Sequence, residues 1–312
     1  MIELLLALGA ILSFVFGWNN SSFLIGNLRG SGTLTARSSV LLAVTGLLAG
    51  VLLEGSKMLK SLDGALATSA SAYGLEMTLF VSILLTIGLT LLALPASISA
   101  AMVGAFLGVA VASSITVNQG QTSLVIAFWF VAPVLTYFVS LALHRALRRL
   151  VSRLDLVAAD SFNRVGVVAT SFAVAYSLGA NNIGLIYGTT LGGAQNGESI
   201  LVAIGLTFAA IAGTILLGKR KVSETLGDKM LALSPQGVLA ALGGAALLVW
   251  IGTQLQVPMS ISHCILGGML GAAYSSRITV VNRRIAFESL STWVVIPVVA
   301  FVAAFLLFQL PL

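Results

Sequence analysis

Long apolar runs dominate this chain and leave it few ways to fold. From Ile2 almost to the C-terminus, stretches with scarcely a charge alternate with short polar segments. A bilayer core about 30 Å thick takes roughly 20 residues of helix to cross. In lipid every backbone N–H and C=O must find its partner inside the protein, which leaves helices or closed barrels. The short alternating segments of a membrane barrel are absent, so the runs read as membrane helices. Composition agrees: 58% of the 312 residues are hydrophobic and 8% are charged, against about 25% charged in a soluble protein. So few charges cannot coat a water-facing surface. Met1–Phe16 carries Glu3 but no Lys or Arg, so it lacks the basic segment of a signal peptide and reads as part of the first span. The single cysteine, Cys264, excludes an internal disulfide and a multi-cysteine metal site.

Ten spans can be laid out, over 2–27, 38–56, 77–94, 97–113, 122–143, 166–186, 199–217, 236–255, 258–275 and 288–309. They sort the basic residues. Arg29, Arg37, the five arginines between 145 and 164, the Lys219–Lys229 cluster, Arg277, Arg283 and Arg284 all fall on the side opposite the N-terminus, 14 of the 16 Lys and Arg. Lys57 and Lys60 alone fall on the other. Lys and Arg concentrate in cytoplasmic loops, so this pattern predicts a cytoplasmic 144–165 segment and extracellular N- and C-termini in a multi-pass plasma-membrane protein. It also accounts for the basic balance without nucleic acid.

An internal repeat runs through the spans. Gly17-Trp18-Asn19-Asn20 returns as Gly179-Ala180-Asn181-Asn182, offset by 162, with Gly26 and Gly188 nine residues after each first glycine. Gly50 and Gly55 return as Gly213 and Gly218, and Pro95-Ala96-Ser97-Ile98-Ser99 as Pro258-Met259-Ser260-Ile261-Ser262, both offset by 163. Gly104 and Gly108 match Gly267 and Gly271, and Trp129 and Pro133 match Trp293 and Pro297. Each half holds five spans, an odd number, so the second enters the membrane inverted. The expectation is an all-α polytopic membrane protein made of a first inverted repeat (1–143), a basic cytoplasmic linker (144–165) and a second inverted repeat (166–312). Inverted repeats of this kind are typical of secondary transporters, whose sites lie near mid-membrane where helices are broken.

Two pairs of segments interrupt the apolar pattern at equivalent places. The paired asparagines Asn19-Asn20 and Asn181-Asn182 are poor helix formers whose amides are costly in lipid unless partnered. The Pro-x-Ser-Ile-Ser segments read as helix starts, with proline in the first turn and Ser97, Ser99, Ser260 and Ser262 as hydroxyl donors. A helix N-terminus within a membrane offers its N–H groups and positive dipole end to an anion. Thr189 and Thr190 add hydroxyls in the second half. His263 follows Ser262, where the first half has Ala100, and is a candidate substrate or proton contact. A Ser/His protease is excluded: adjacent helical residues point about 100° apart, and no nucleophile elbow accompanies them. No metal-ligating cluster or organic cofactor is expected.

These motifs resemble the inorganic phosphate transporter (PiT) family, whose two inverted repeats carry a G-x-N-D-x-x-N element and a P-V-S-T-T-H element. Gly179-Ala180-Asn181-Asn182 is similar to the first and Pro258-Met259-Ser260-Ile261-Ser262-His263 to the second. Lys221-Val222-Ser223-Glu224-Thr225-Leu226-Gly227, Leu233-Ser234-Pro235, Trp293 and Pro297 also fit, so the likeness covers nearly the whole chain. It implies a transporter, not an enzyme, that moves phosphate, or sulfate as in some relatives, coupled to a cation. An anion channel would be the reading from another class. The implied substrate site is Asn19, Asn20, Ser97, Ser99, Asn181, Asn182, Thr189, Thr190, Ser260 and Ser262, with His263 beside it. Three departures stand out: both family aspartates are Asn, at Asn20 and Asn182; Phe23 and Leu185 replace the later asparagine; and Asn27-Leu28 stands opposite Thr189-Thr190. Sodium prefers charged or carbonyl oxygens, so the coupling ion is open between Na+ and H+. Neutral amides and hydroxyls suit acceptor-only sulfate as well as phosphate. The expected partners are an inorganic oxyanion and the lipid bilayer, with a homodimer left open.

Overall fold

A computed structural model describes residues 2–20, 25, 33–67, 70–92, 97–192, 200–217, 233–276 and 283–310, with backbone alone at 283–290. Among these residues it contains eleven α-helices. In chain order they are α1 (Ile2–Asn19), α2 (Ala36–Glu54), α3 (Ala72–Leu91), α4 (Ile98–Ala112), α5 (Gln119–Val151), α6 (Leu156–Leu178), α7 (Gly184–Thr190), α8 (Ile200–Leu217), α9 (Pro235–Gln254), α10 (Ile261–Ser275) and α11 (Arg283–Phe308). A 3-10 turn, Gly55–Met58, follows α2, and a π-turn, Gly179–Ile183, joins α6 to α7. Seven helical stretches are long and apolar enough to cross a bilayer. Of the features singled out above, Phe23, Gly26, Asn27, Leu28, Arg29, Pro95, Ala96, the 218–229 stretch and Arg277 lie outside the described residues.

The helix starts follow from the sequence. Thr35, Ser71, Ser97, Asn118, Asp155 and Ser234 each cap the following helix through a side-chain oxygen that accepts an N–H three residues on. Such a cap replaces a hydrogen bond the first turn cannot make for itself.

The 144–165 segment is largely helical, because α5 continues to Val151 and α6 begins at Leu156, leaving a four-residue turn capped by Asp155. At 33 residues, α5 is about 50 Å long and outruns the membrane core. One expectation is corrected: the Gly179–Asn182 interruption is not a break. The backbone stays helical with a π-turn, an insertion often found at functional positions. The extended segment lies instead at 257–260, ahead of α10.

The main packing partnerships of the first five spans have counterparts displaced by the repeat offset. α1 packs on α8 and α2 on α6, while α4 packs on α11 and α10 on α5. Glycines set these crossings. A methyl group on Gly17 would strike the carbonyl of Ala210, and one on Gly213 would strike that of Phe14. At the α2–α6 crossing Gly50 meets the Tyr176 carbonyl, and Gly179 meets that of Leu47. Gly104 and Gly108 lie against the carbonyls of Pro297 and Phe301; Gly267 and Gly271 lie against those of Pro133 and Tyr137. These eight of the glycines that mark the repeat in sequence are therefore points where backbones touch, as expected where lipid supplies no hydrophobic drive and close packing must hold helices together.

The short helices α4 and α10, 15 residues each, are buried along most of their length. A helix apolar on every side belongs inside. The outer helices present Phe130, Val134 and Phe138 on α5, and Val295, Val298 and Val302 on α11, as an exposed apolar surface suited to lipid.

Candidate substrate site

The site is built where the extended 257–260 segment passes the π-turn and the start of α4. Its anchor is Asn181, which is fully buried. The Asn181 amide nitrogen donates to Thr253 Oγ1 and to the Val257 carbonyl, both at 3.1 Å. Its Oδ1 accepts the Met259 N–H at 2.9 Å. Both amide hydrogens and one oxygen lone pair are thus occupied by protein groups. Asn19 makes the matching contact in the first half, donating to Thr90 Oγ1 at 2.8 Å. Thr90 is the last of a buried series (Thr78, Ser82, Thr86, Thr90) in which each hydroxyl donates back to the carbonyl four residues earlier.

The Met259 carbonyl is a meeting point. Ser99 Oγ, from the first half, donates to it at 2.9 Å, and the Asn182 amide reaches it at 3.4 Å. Ser99 of the first half and Asn182 of the second thus meet at the second Pro-x-Ser-Ile-Ser segment. Asn182 Oδ1 is buried and unpartnered. The orientation of this amide follows from its neighbour: a carbonyl oxygen only accepts, so the NH2 end must face Met259 and the oxygen must face away.

The two helix starts differ. Ser97 Oγ accepts the Ala100 N–H at 3.3 Å and lies 3.4 Å from Ser99 Oγ, so α4 is capped by its own chain. Ser260 makes no side-chain cap; its hydroxyl pairs with Ser262 Oγ at 3.0 Å, which leaves the first-turn N–H groups of α10 without a side-chain acceptor. Trp129 Nε1 holds the Pro258 carbonyl at 3.1 Å, fixing the entry to that segment. His263 is buried and stacks on Trp293 with ring centroids 4.4 Å apart, its Nδ1 unpartnered.

Other predicted residues lie differently. Asn20 is buried and its amide donates to the Phe16 carbonyl of its own helix at 3.1 Å. Thr189 and Thr190 donate to the Leu185 and Ile186 carbonyls one turn back, and the Thr190 hydroxyl lies against Gly9 of α1. Neither threonine bonds to the Ser99–Met259–Asn182 cluster among the described residues. Thr90, Thr253 and Trp129 went unmarked as contributors to the site. The repeat offset was their signal, since Thr90 and Thr253 stand 163 apart, like the serine segments. No group of three or more His, Cys, Asp or Glu able to hold a metal ion occurs among the described residues.

A helical multi-pass membrane protein that buries neutral polar groups from both halves of its sequence around an interrupted helix has the build of a secondary transporter. The comparisons agree. The sequence matches the profile of the phosphate transporter family over residues 16–159 and again over 154–304, and the chain belongs to that family. It is 25% identical over 306 residues to a Methanocaldococcus jannaschii protein assigned by name as a phosphate permease, with 98% of this chain and 96% of that one covered. It is also 25% identical over 322 residues to the sulfate permease CysP of Bacillus subtilis, covering 97% of this chain and 87% of the relative. A solved structure described as the sodium-dependent phosphate transporter shares the fold, with a TM-score of 0.83, 17% identity and 98% of each chain covered. The chain is a secondary-active transporter of this family, not an enzyme.

Proposed function

We propose that the chain carries inorganic phosphate across the plasma membrane, coupled to a cation, at a site formed by the α10 N-terminus with Ser260, Ser262, Asn182 and Ser99. One juxtaposition carries the reading: helix N–H groups without a side-chain cap stand beside an amide whose oxygen is buried and unpartnered. The N–H groups and the Ser260–Ser262 hydroxyl pair supply donors for an oxyanion, while Ser99 holds the Met259 carbonyl beside them. The Asn182 oxygen supplies an acceptor, and the hydrogen-bearing oxygen of a protonated phosphate matches it. Sulfate has no proton to offer and would leave that acceptor unsatisfied, at a cost of roughly 1–3 kcal/mol. Asn20, Ser97 and His263 complete the proposed polar lining. Sodium is the proposed coupling ion, as the name of the solved structure suggests, met here by neutral carbonyl and hydroxyl oxygens in place of the family's aspartates.

The same reading takes 1–143 and 166–312 as inverted repeats joined through 144–165 on the cytoplasmic side, with both termini outside. The sorting of the basic residues and the mirrored glycine crossings support it.

Sulfate is the second reading, favoured by the replacement of both family aspartates by Asn20 and Asn182 and by the equal likeness to CysP. Uptake of labelled phosphate and labelled sulfate into liposomes holding the purified protein, with and without an inward sodium gradient, decides between them. Sodium-driven accumulation of phosphate above equilibrium is expected. Accumulation of sulfate alone would overturn the phosphate assignment, and flux that no cation gradient drives uphill would identify a channel.

A further inference from the structure

We propose that Asn181, and Asn19 at the matching place, are positioning residues that hold the chain segment presenting the substrate groups, and do not themselves touch the anion. The inference deepens the transport reading above and rests on it. Asn181 has no donor left to give. Its two amide hydrogens go to the end of α9, at Thr253, and to the Val257 carbonyl, while its oxygen takes the Met259 N–H. These bonds tie the π-turn to both ends of the short bridge between α9 and α10. The amide nitrogen also lies 3.8 Å from the Met58 sulfur.

The consequence passes through Met259. With its N–H held by Asn181, its carbonyl is set to receive Ser99 from the other half and the amide of Asn182. Ser260 follows directly, so Asn181 fixes where the α10 N-terminus begins. The next residue, Asn182, has the unpartnered oxygen. Neighbouring residues on a helix point about 100° apart, and the pair divides the work accordingly: the first asparagine clamps the protein and the second faces the substrate. The repeat gives an independent second instance. Asn19 and Thr90 are the counterparts of Asn181 and Thr253 at offsets of 162 and 163, and they form the same amide-to-hydroxyl bond at 2.8 Å. Asn20 again stands apart, with no bond to the α3 end.

The test uses the purified full chain as wild type, Asn181→Ala, Thr253→Val, Thr253→Ser and Asn182→Ala. Amide hydrogen exchange is read over 255–262, and phosphate and sulfate uptake are measured on the same preparations. In Asn181→Ala the 257–260 bridge is expected to lose protection while α5 and α8 keep theirs. The uptake kcat/KM should fall between about tenfold and a hundredfold, the scale of an ångström-level misplacement, with the phosphate-to-sulfate ratio unchanged. Thr253→Val should show the same changes more weakly, and Thr253→Ser, which keeps the hydroxyl, should restore them. Asn182→Ala should retain bridge protection and change the anion ratio. Unchanged protection in both Asn181→Ala and Thr253→Val would overturn the proposal, as would an Asn181 variant that shifts the ratio as Asn182→Ala does. If Asn181→Ala does not fold, the two Thr253 variants decide. A wild type that moves neither anion would refute the transport reading, and the exchange data would still decide whether the clamp exists.

Discussion

Gly213→Ala should destabilise the protein far more than Gly205→Ala, although both lie on α8 and involve the same single methyl group. At Gly213 that methyl would strike the Phe14 carbonyl oxygen, and it would lie 2.8 Å from the Phe14 carbonyl carbon and 3.1 Å from the Trp18 nitrogen. All three are backbone atoms, so no side chain can swing aside; α1 and α8 must separate. Moving them apart loosens the paired contact at Gly17 and the bond from Thr214 Oγ1 to the Gly17 carbonyl, now 2.9 Å. Overpacking a core by a methylene or so costs about 1–3 kcal/mol, and a clash between two backbones belongs at the top of that range. At Gly205 nothing lies within 4 Å of the added methyl. There the gain in helix propensity is up to about 1 kcal/mol. Thermal unfolding of the detergent-solubilised protein, followed by the fraction remaining monodisperse after heating, should place Gly213→Ala well below wild type and Gly205→Ala at or above it. Gly50→Ala, at the mirrored α2–α6 crossing, should behave like Gly213→Ala. Equal midpoints for Gly205→Ala and Gly213→Ala would refute the claim that these glycines set the crossings.

Three further outcomes are expected. Asn182→Asp places a carboxylate beside the Met259 carbonyl and should depress sulfate uptake by more than about tenfold, since a mispaired buried charge costs several kcal/mol; phosphate uptake and its sodium dependence should fall less or rise, as parallel flux assays would show. Ser99→Ala removes the bond to the Met259 carbonyl at a cost of about 1 kcal/mol, and should slow uptake several-fold while the amount of folded protein, measured by size-exclusion chromatography, stays unchanged. Cys264 is buried, so the wild type should resist maleimide until denatured. In a Cys264→Ala background, Ser152→Cys should be shielded from an impermeant maleimide on intact cells and a cysteine after Leu310 should react; labelling of Ser152→Cys from outside would reverse the proposed topology.

Much of the architecture was legible in the one-dimensional pattern. Each of the ten expected spans coincides with a helix among the described residues; for the first, expected over 2–27, residues 21–24, 26 and 27 lie outside them. Where the pattern misled, the cause is tertiary. Paired asparagines beside glycine suggest a break at 179–182, yet the helix persists because the Asn181 amide is satisfied by α9 and the bridge and does not compete with its own backbone. The charged stretch after 143 cannot enter lipid, but helices need no lipid to continue, and the span expected to end at 143 runs on as α5 to Val151 with His144 buried against Ser276.

The sequence by itself determined that the chain spans a membrane as helices, that its two halves repeat, and which residues are polar where polarity is costly. Those properties follow from hydrophobicity and spacing, which are written along the chain. Only the tertiary structure decided what the repeated residues do. The glycines became helix crossings because their backbones meet partners about 125 to 200 residues away. Ser260 became an uncapped helix start where Ser97 is a capped one. Asn181 and Asn182, identical side chains in adjacent positions, became an amide whose donors are spent within the protein and an amide with a free oxygen. A hydrogen bond is spent or available according to the neighbours that folding brings within about 3 Å, and no reading of one residue type at one position contains that information.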